Sequence, residues 1–299
     1  MAAQRFRQGS RLKGLREEHF KRLVEADDPI EEVWNILVEL WNPNIKLEEY
    51  FIRQEPDVSI FEQKLNATFF EIYRYLYERA SKEAFKLDLP LIIMDGMSIR
   101  EGNLLRKDLR DKGYEIVEYS YGFSKLPSNT ASFRECVKEY TKVSGKAPSS
   151  LDFKKPVWVS YPDEILHHAA KIDPPPEAYE KTKRLLFDIL GRIDDEMVTI
   201  TSDHGYIMTE YVWQLEEDDI KFLKKVFRTD RYVELSKVDG KDLEKMRAIP
   251  EDVSYVFMDT EYCYVRGRYF WPTPGYRKLV DHGGLSLMEC IVPRIKVKL

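Results

Sequence analysis

Apolar residues recur at helical spacing through the first part of the chain. Leu15 to Ala26, Pro29 to Trp41 and Val58 to Phe85 each gather them on one face, with no strand-like alternation between. In the last of these Phe61, Leu65, Phe69, Ile72, Leu76 and Ala80 step down one side, a stripe that packs a core or docks a partner. The texture changes at Leu87. Leu89-Pro-Leu-Ile-Ile-Met-Asp95 is a continuous apolar run closed by an acid, as in a central parallel strand. Further strands are predicted over Tyr114–Tyr119, Pro156–Ser160 and Met197–Ser202. Helices over Ile99–Lys112, Ala131–Val143, Asp163–Ile172 and Pro176–Ile193 alternate with them. Beyond Gly205 strands dominate (Ile207–Trp213, Tyr232–Leu235, Val253–Met258, Tyr262–Phe270, Glu289–Val297), and only the helix Glu217–Phe227 interrupts them. The pattern predicts an α/β domain over 87–299, doubly wound and mainly parallel with helices on both faces. An all-helical N-terminal region, 1–86, precedes it.

Composition narrows the class. The chain is 43% hydrophobic and 33% charged, an ordinary balance for a water-soluble globular protein. A net charge of −5 argues against a sequence-blind grip on duplex DNA and leaves only local basic patches for anions. No apolar run approaches the roughly 18 to 20 residues that span a bilayer. The first residues, Met1-Ala-Ala-Gln-Arg-Phe-Arg, lack the apolar core of a signal peptide. Cys136, Cys263 and Cys290 are unclustered and odd in number, so neither a disulfide framework nor a thiolate zinc knot is indicated. A cytoplasmic protein without membrane contact is the expectation.

The chemistry-bearing residues fall in a few short blocks. Asp203-His204-Gly205 follows the apolar run Met197-Val-Thr-Ile, at the end of a buried strand where open α/β sheets place their ligands; a capped turn is the plainer reading. Asp163 and His167 are four apart, so on a helix they share a face and can grip one cation, zinc first and manganese next. His168 points roughly 100° away and is left out. Asp95-Gly96 ends another buried strand, and such an acid needs a metal, a helix N-terminus or an arginine, for which Arg100 is nearby. Asp281-His282-Gly283-Gly284 completes the set. Four of the five histidines lie in these blocks, and the donors suffice for two neighbouring cations. His19, in the helical part, reads as a packing or surface residue. A nucleophile can come from Lys125-Leu-Pro-Ser128-Asn129-Thr130-Ala-Ser132-Phe-Arg134, just before a helix; capping by Ser132 with Glu135 is the alternative use.

In this order the blocks resemble the alkaline phosphatase superfamily, and within it the PglZ-domain branch known from phage-defence loci and some signalling proteins. The resemblance runs from about Leu87 to Leu299. It rests on Met94-Asp95-Gly96, Leu126-Pro-Ser-Asn-Thr130, Tyr161-Pro-Asp163-x-x-x-His167, Thr201-Ser-Asp203-His204-Gly205 and His282-Gly-Gly-Leu-Ser-Leu-Met-Glu-Cys-Ile-Val-Pro293. It implies an alkaline-phosphatase-like fold with two zinc ions. Asp163, His167 and His282 would hold one; Asp95, Asp203 and His204, with the Thr130 hydroxyl, the other. Relatives with P-T-x-T attack through the second hydroxyl residue, which matches Thr130, while Ser128 stands at the first. Sulfatase-type relatives need C/S-x-P-x-R, and Cys136-Val-Lys-Glu lacks it. The implied enzyme is a metal-dependent phosphoric ester hydrolase, foremost a phosphodiesterase on nucleotides or oligonucleotides acting through a phosphothreonine, with a phosphomonoesterase as the variant. Arg100, Lys125, Arg134 and Arg277 are the candidates for the substrate's phosphate oxygens. A scaffold module with a structural metal site is the reading from another class. Its partner, a defence-system protein, would dock on the helical N-terminal region.

Overall fold

The computed structural model describes residues 15–167, 175–272 and 278–299. Four helices come first: α1 (Glu17–Glu25), α2 (Pro29–Leu40), α3 (Leu47–Thr68) and α4 (Ile72–Lys82). Asp28 caps α2 through its side chain, and Pro29 supplies the preset φ of the first turn. The long stripe read from Val58 to Phe85 belongs to two helices. The chain leaves the helix at Phe69 and restarts at Ile72, with no Gly or Pro to mark the break. Phe61, Leu65, Ile72, Leu76 and Ala80 all face the interior, so this stripe is core. His19 lies away from the site, buried with its ring against Arg16 N and Glu39.

The α/β portion follows: β1 (Leu91–Met94), α5 (Ile99–Asp111), β2 (Glu115–Phe123), α6 (Thr130–Arg134), β3 (Thr141–Val143), β4 (Val157–Val159), α7 (Asp163–Leu166), α8 (Pro175–Leu190) and β5 (Met197–Ser202). Then come β6 (Ile207–Met208), α9 (Glu217–Phe227), β7 (Tyr232–Glu234), α10 (Gly240–Arg247), β8 (Val256–Met258), β9 (Tyr262–Val265), β10 (Val280–Asp281), α11 (Leu287–Cys290) and β11 (Ile291–Lys298). The main sheet has six strands in the order β2-β11-β5-β1-β4-β3. β5, β1, β4 and β3 pair in parallel, and β11 enters antiparallel between β5 and β2. The sheet is thus mixed, mainly parallel and flanked by helices. β7-β9-β8 forms a separate three-stranded sheet with its own small core, and β6 pairs with β10.

The helix expected over Ala131–Val143 stops at Arg134, and Thr141-Lys-Val143 pairs with β4 as an edge strand. The branched Thr and Val suit a strand, and a neighbour's hydrogen bonds outweigh local helix propensity. The later strands are shorter than their apolar runs. Residues 287–290 are a helical turn before β11, and α10 replaces what reads as loop. Of the helix expected over Asp163–Ile172, Asp163–Leu166 is present; residues 168–174, His168 among them, lie outside the described residues.

The first four helices share one apolar cluster with the sheet: Trp34 packs at a tilt against Tyr119 and Tyr121 of β2, with ring centroids 5.2 and 5.5 Å away. Beneath α3 lies a layer of fully buried charge. Glu55 takes Arg100 on both oxygens (2.6 and 2.7 Å) and also Arg268; Arg268 reaches Glu62 at 2.9 Å, and Arg231 grips Glu289 at 2.8 and 2.9 Å. No helix among the described residues is long and apolar enough to cross a membrane.

Candidate metal centre

Because β1, β4 and β5 run parallel, the residues that follow them emerge at the same edge: Asp95 after β1, Asp163 after β4, Asp203 and His204 after β5. The β10–β11 connection brings His282 to meet them from the far end of the chain. The rings of His204 and His282 stack with centroids 4.1 Å apart, and His167 meets His282 edge-on at 5.1 Å. Asp163 Oδ1 lies 3.2 Å from His167 Nε2 and 3.7 Å from His282 Nε2. His204 Nε2 lies 3.7 Å from Asp95 Oδ1 and 3.6 Å from Asp203 Oδ2. The Thr130 hydroxyl closes the group, donating to Asp95 Oδ1 at 3.1 Å with His204 Nε2 at 3.2 Å. Donor atoms of Asp163, His167 and His282, and separately of Asp95, Asp163 and His204, lie within 4.8 Å of one another. Asp163 stands between the two groups.

Backbone and neighbours fix these side chains. Gly96 has φ +72°, and a Cβ there would sit 2.9 Å from Cβ of Asp163, so only glycine lets the two loops approach. Asp203 Oδ1 accepts from Gly96 N and His204 N, both at 3.0 Å, leaving Oδ2 facing the cluster. His204 Nδ1 is 3.0 Å from Gly205 O; donating there, it leaves Nε2 as the ligating atom. Trp158, on β4, donates Nε1–H to Asp95 Oδ2 at 3.0 Å. Sequence reasoning missed Trp158, since nothing in Pro156-Val-Trp-Val-Ser160 distinguishes an orienting indole from a core one.

Electrostatics favour a cation. Burial, with the Asp203 and Asp163 carboxylates, pushes Asp95 up to about 7 despite His204. Burial also raises Asp203. Burial works against charge on His204, yet Asp203, Asp163 and Asp95 together lift it to about 9. His282, buried and stacked on His204, is driven well below the usual imidazole range. Burial pushes Asp163 upward, but the imidazoles of His167 and His282 outweigh it and hold the carboxyl below its ordinary range. Asp203 Oδ2 and His282 Nδ1 are buried with no hydrogen-bond partner among the described residues, and His167 Nε2 has only Asp163 Oδ1 nearby, at 3.2 Å. Unpaired buried donors and acceptors are costly unless something fills the gap, and this nitrogen and oxygen set fits divalent zinc or manganese. Asp203 and His204 form the floor, with no exposed side-chain area; Asp163 and His167, at 25% and 29%, form the mouth.

The anion-binding candidates divide. Arg100 is not at the site: its guanidinium is buried between Trp41 and Tyr206 and committed to Glu55, Tyr206 O and Ser98. Lys125 donates to Glu83 O at 2.6 Å. Arg134 is exposed and stacks on Trp158 and Tyr140, with no carboxylate partner among the described residues. Arg277 lies outside the described residues. Asn129, rather than Ser132, caps α6, placing Thr130 as its first residue. Ser128 is fully buried and hydrogen-bonded to the Gly283–Gly284 backbone.

A mixed, mainly parallel α/β sheet with an Asp/His cluster at its strand ends is the class defined so far. Residues 162–297 match the family model of the BREX system PglZ alkaline phosphatase-like domain. That match takes in just under half of the chain and marks what this stretch is similar to. The matched stretch holds Asp163, His167, Asp203, His204 and His282; Asp95 and Thr130 precede it. Two solved structures of phosphonoacetate hydrolase from Sinorhizobium meliloti 1021, with phosphonoformate and with phosphonoacetate, are similar at 16% identity and a TM-score of 0.25. Each match covers 48% of this chain and 44% of the other, so the chain spans less than half of that hydrolase's length. No curated protein matches the chain.

Proposed function

We propose that this protein is a two-metal phosphoesterase, foremost a phosphodiesterase acting on nucleotides or oligonucleotides, with Thr130 as its nucleophile. The observation that carries the reading is the Thr130 hydroxyl, 3.1 Å from Asp95 and 3.2 Å from His204 inside a cluster of under-coordinated donors. Asp163, His167 and His282 would hold one divalent cation, zinc before manganese, and Asp95, Asp203 and His204 the other. Bound there, such ions acidify a hydroxyl and neutralise charge that develops on phosphate oxygens. Thr130 would pass its proton toward Asp95 Oδ1, which already accepts its hydrogen bond, and attack phosphorus in line. The bond to the leaving oxygen would break to give a phosphothreonine, which water would then cleave, returning the proton to the threonine oxygen. The stacked imidazoles and buried carboxylates keep bulk water from the floor, while Arg134 at the rim can meet a non-bridging oxygen. The BREX description of the matching family motivates a place in a defence system.

The test is metal analysis joined to turnover of a small panel of phosphomonoesters and diesters. Metal-loaded protein cleaves a chromogenic diester, and Thr130→Ala lowers kcat by roughly a thousandfold or more without loss of metal. Intact activity in that variant would remove Thr130 from the role, and well under one metal per chain would favour a scaffold.

A further inference from the structure

The two loops that would bring nucleophile and leaving-group ligand together, one ending at Thr130 and one carrying His282, come from distant parts of the chain. A single hydroxyl joins them. Ser128 Oγ accepts from Gly283 N at 3.1 Å and donates to Gly284 O at 2.7 Å, with no exposed surface. Its one proton and an acceptor lone pair are both engaged, which takes it out of contention as the attacking group. The neighbouring backbone is pinned as firmly. Gly284 N donates to Glu289 Oε1 at 2.9 Å, and Leu287 N donates to Glu62 Oε1 at 2.8 Å. Arg231 holds both oxygens of Glu289 and reaches Gly267 O at 2.6 Å.

The paired glycines make room for this clamp. Gly283 has φ +106°, and a Cβ there would press on the Tyr232 ring at 3.0 Å. A Cβ at Gly284 would meet Val265 O at 2.7 Å and Arg231 at 2.8 Å. At these two glycines Tyr232, Val265 and Arg231 leave no room for a side chain, and the Ser128 hydroxyl takes up the backbone groups that face it.

We propose that Ser128 is a positioning residue that sets the separation between Thr130 and His282. This rests on the reading of those two residues given above. Removing the hydroxyl leaves the buried Gly283 N–H without its partner and Gly284 O with only the Cys290 thiol at 3.6 Å, and the loop relieves that by shifting, carrying the His282 ring with it. Outer-shell losses of this kind typically cost about 10- to 100-fold in metal affinity or rate.

The experiment compares wild type, Ser128→Ala and Ser128→Thr, each checked by near-UV circular dichroism. The readouts are Zn2+ and Co2+ affinity, the cobalt absorption spectrum, and kcat and KM on bis(p-nitrophenyl) phosphate. Ser128→Ala is expected to keep the wild-type fold spectrum and weaken one metal by about tenfold or more. It should also change the cobalt bands and lower kcat with KM within about twofold. Ser128→Thr, which keeps the hydroxyl, restores affinity and rate. Ser128→Ala equal to wild type in affinity and spectrum, or Ser128→Thr as impaired as Ser128→Ala, overturns the proposal while leaving the metal reading intact. Wild type that takes up no metal overturns both. Wild type that binds metal without hydrolysing the diester leaves affinity and spectrum to decide the role of Ser128.

Discussion

Two clusters of buried charge lie close together in this molecule, and they differ in balance. Beneath α3, Glu55, Glu62 and Glu289 face Arg100, Arg231 and Arg268, three acids against three bases. Only Nη2 of Arg268 in that group lacks a partner. At the strand ends, Asp95, Asp163 and Asp203 face three imidazoles that cannot all be charged at once, and an orphaned atom remains on each of Asp203 and His282. The first cluster balances its charge as the chain folds. Under the proposed function the second is balanced by a cation, and that asymmetry would separate a binding site from a structural one.

Chelation is the strongest way to break the comparison. Removing metal should take diester cleavage to background and restoring zinc should return it, with the ion-pair layer untouched, as a preserved near-UV spectrum would report. Next in size is Glu55→Gln. Leaving Arg100 and Arg268 buried with too little counter-charge should cost about 3 to 5 kcal/mol in unfolding free energy, read by denaturant titration. Burial opposes ionisation of Glu55, but Arg100 and Arg268 win and hold its pKa below the usual glutamate value. Its stabilisation is therefore present above the unfolded-state value and disappears as pH falls through the folded one. Wild type and Glu55→Gln should accordingly converge in acid.

The sequence showed one cluster and hid the other, for a physical reason. Asp203-His204 after a buried run, and Asp163 with His167 a helical turn on, are each ambiguous alone, and it is the gathering of four of the five histidines into a few such blocks that marks the site. Met197–Ser202 and Glu217–Phe227 were legible too, the first as a short apolar run and the second as an amphipathic pattern with acids in its first turn and lysines in its last. Glu55 and Glu62 sit on the inner face of α3 among Phe51, Val58 and Leu65, yet acids on a helix read as solvated surface until their arginine partners, far along the chain, are in place. The same holds for Arg100, whose nearness to Asp95 in sequence promised an anion contact that Glu55 claims. Ser128 meets the His282 loop through two hydrogen bonds and Trp158 meets Asp95 through one, and only tertiary structure reveals such bonds.

A third prediction inverts the second. In metal-free protein Asp95→Asn should stabilise the fold at neutral pH, on the order of 1 to 3 kcal/mol, because it removes a carboxylate that burial and its acidic neighbours disfavour. The folded-state pKa of Asp95, about 7, exceeds the ordinary 3.8, so the native state binds more protons across that window. Metal-free wild type should thus lose stability as pH rises through it, and the slope should shrink in Asp95→Asn. With zinc present the sign reverses, since the variant forfeits a ligand. A neutralising change that stabilises one cluster and destabilises the other would be hard to reconcile with both being structural.

The smallest effect concerns Trp158, where the two kinds of interaction meet. Its indole N–H holds Asp95 Oδ2 while its ring supports the exposed Arg134 at 5.5 Å. Trp158→Phe keeps an aromatic surface in the core and removes the donor. Asp95 would then be free to rotate, and metal affinity should fall by about tenfold, with thermal stability changed by only a few degrees. Arg134→Ala separates the other function of the ring: affinity for metal should be unchanged, and KM for an anionic diester should rise by several-fold, about 1 kcal/mol of lost charge contact. If both variants weakened metal and substrate alike, Trp158 and Arg134 would belong to one structural stack and not to two layers of a site.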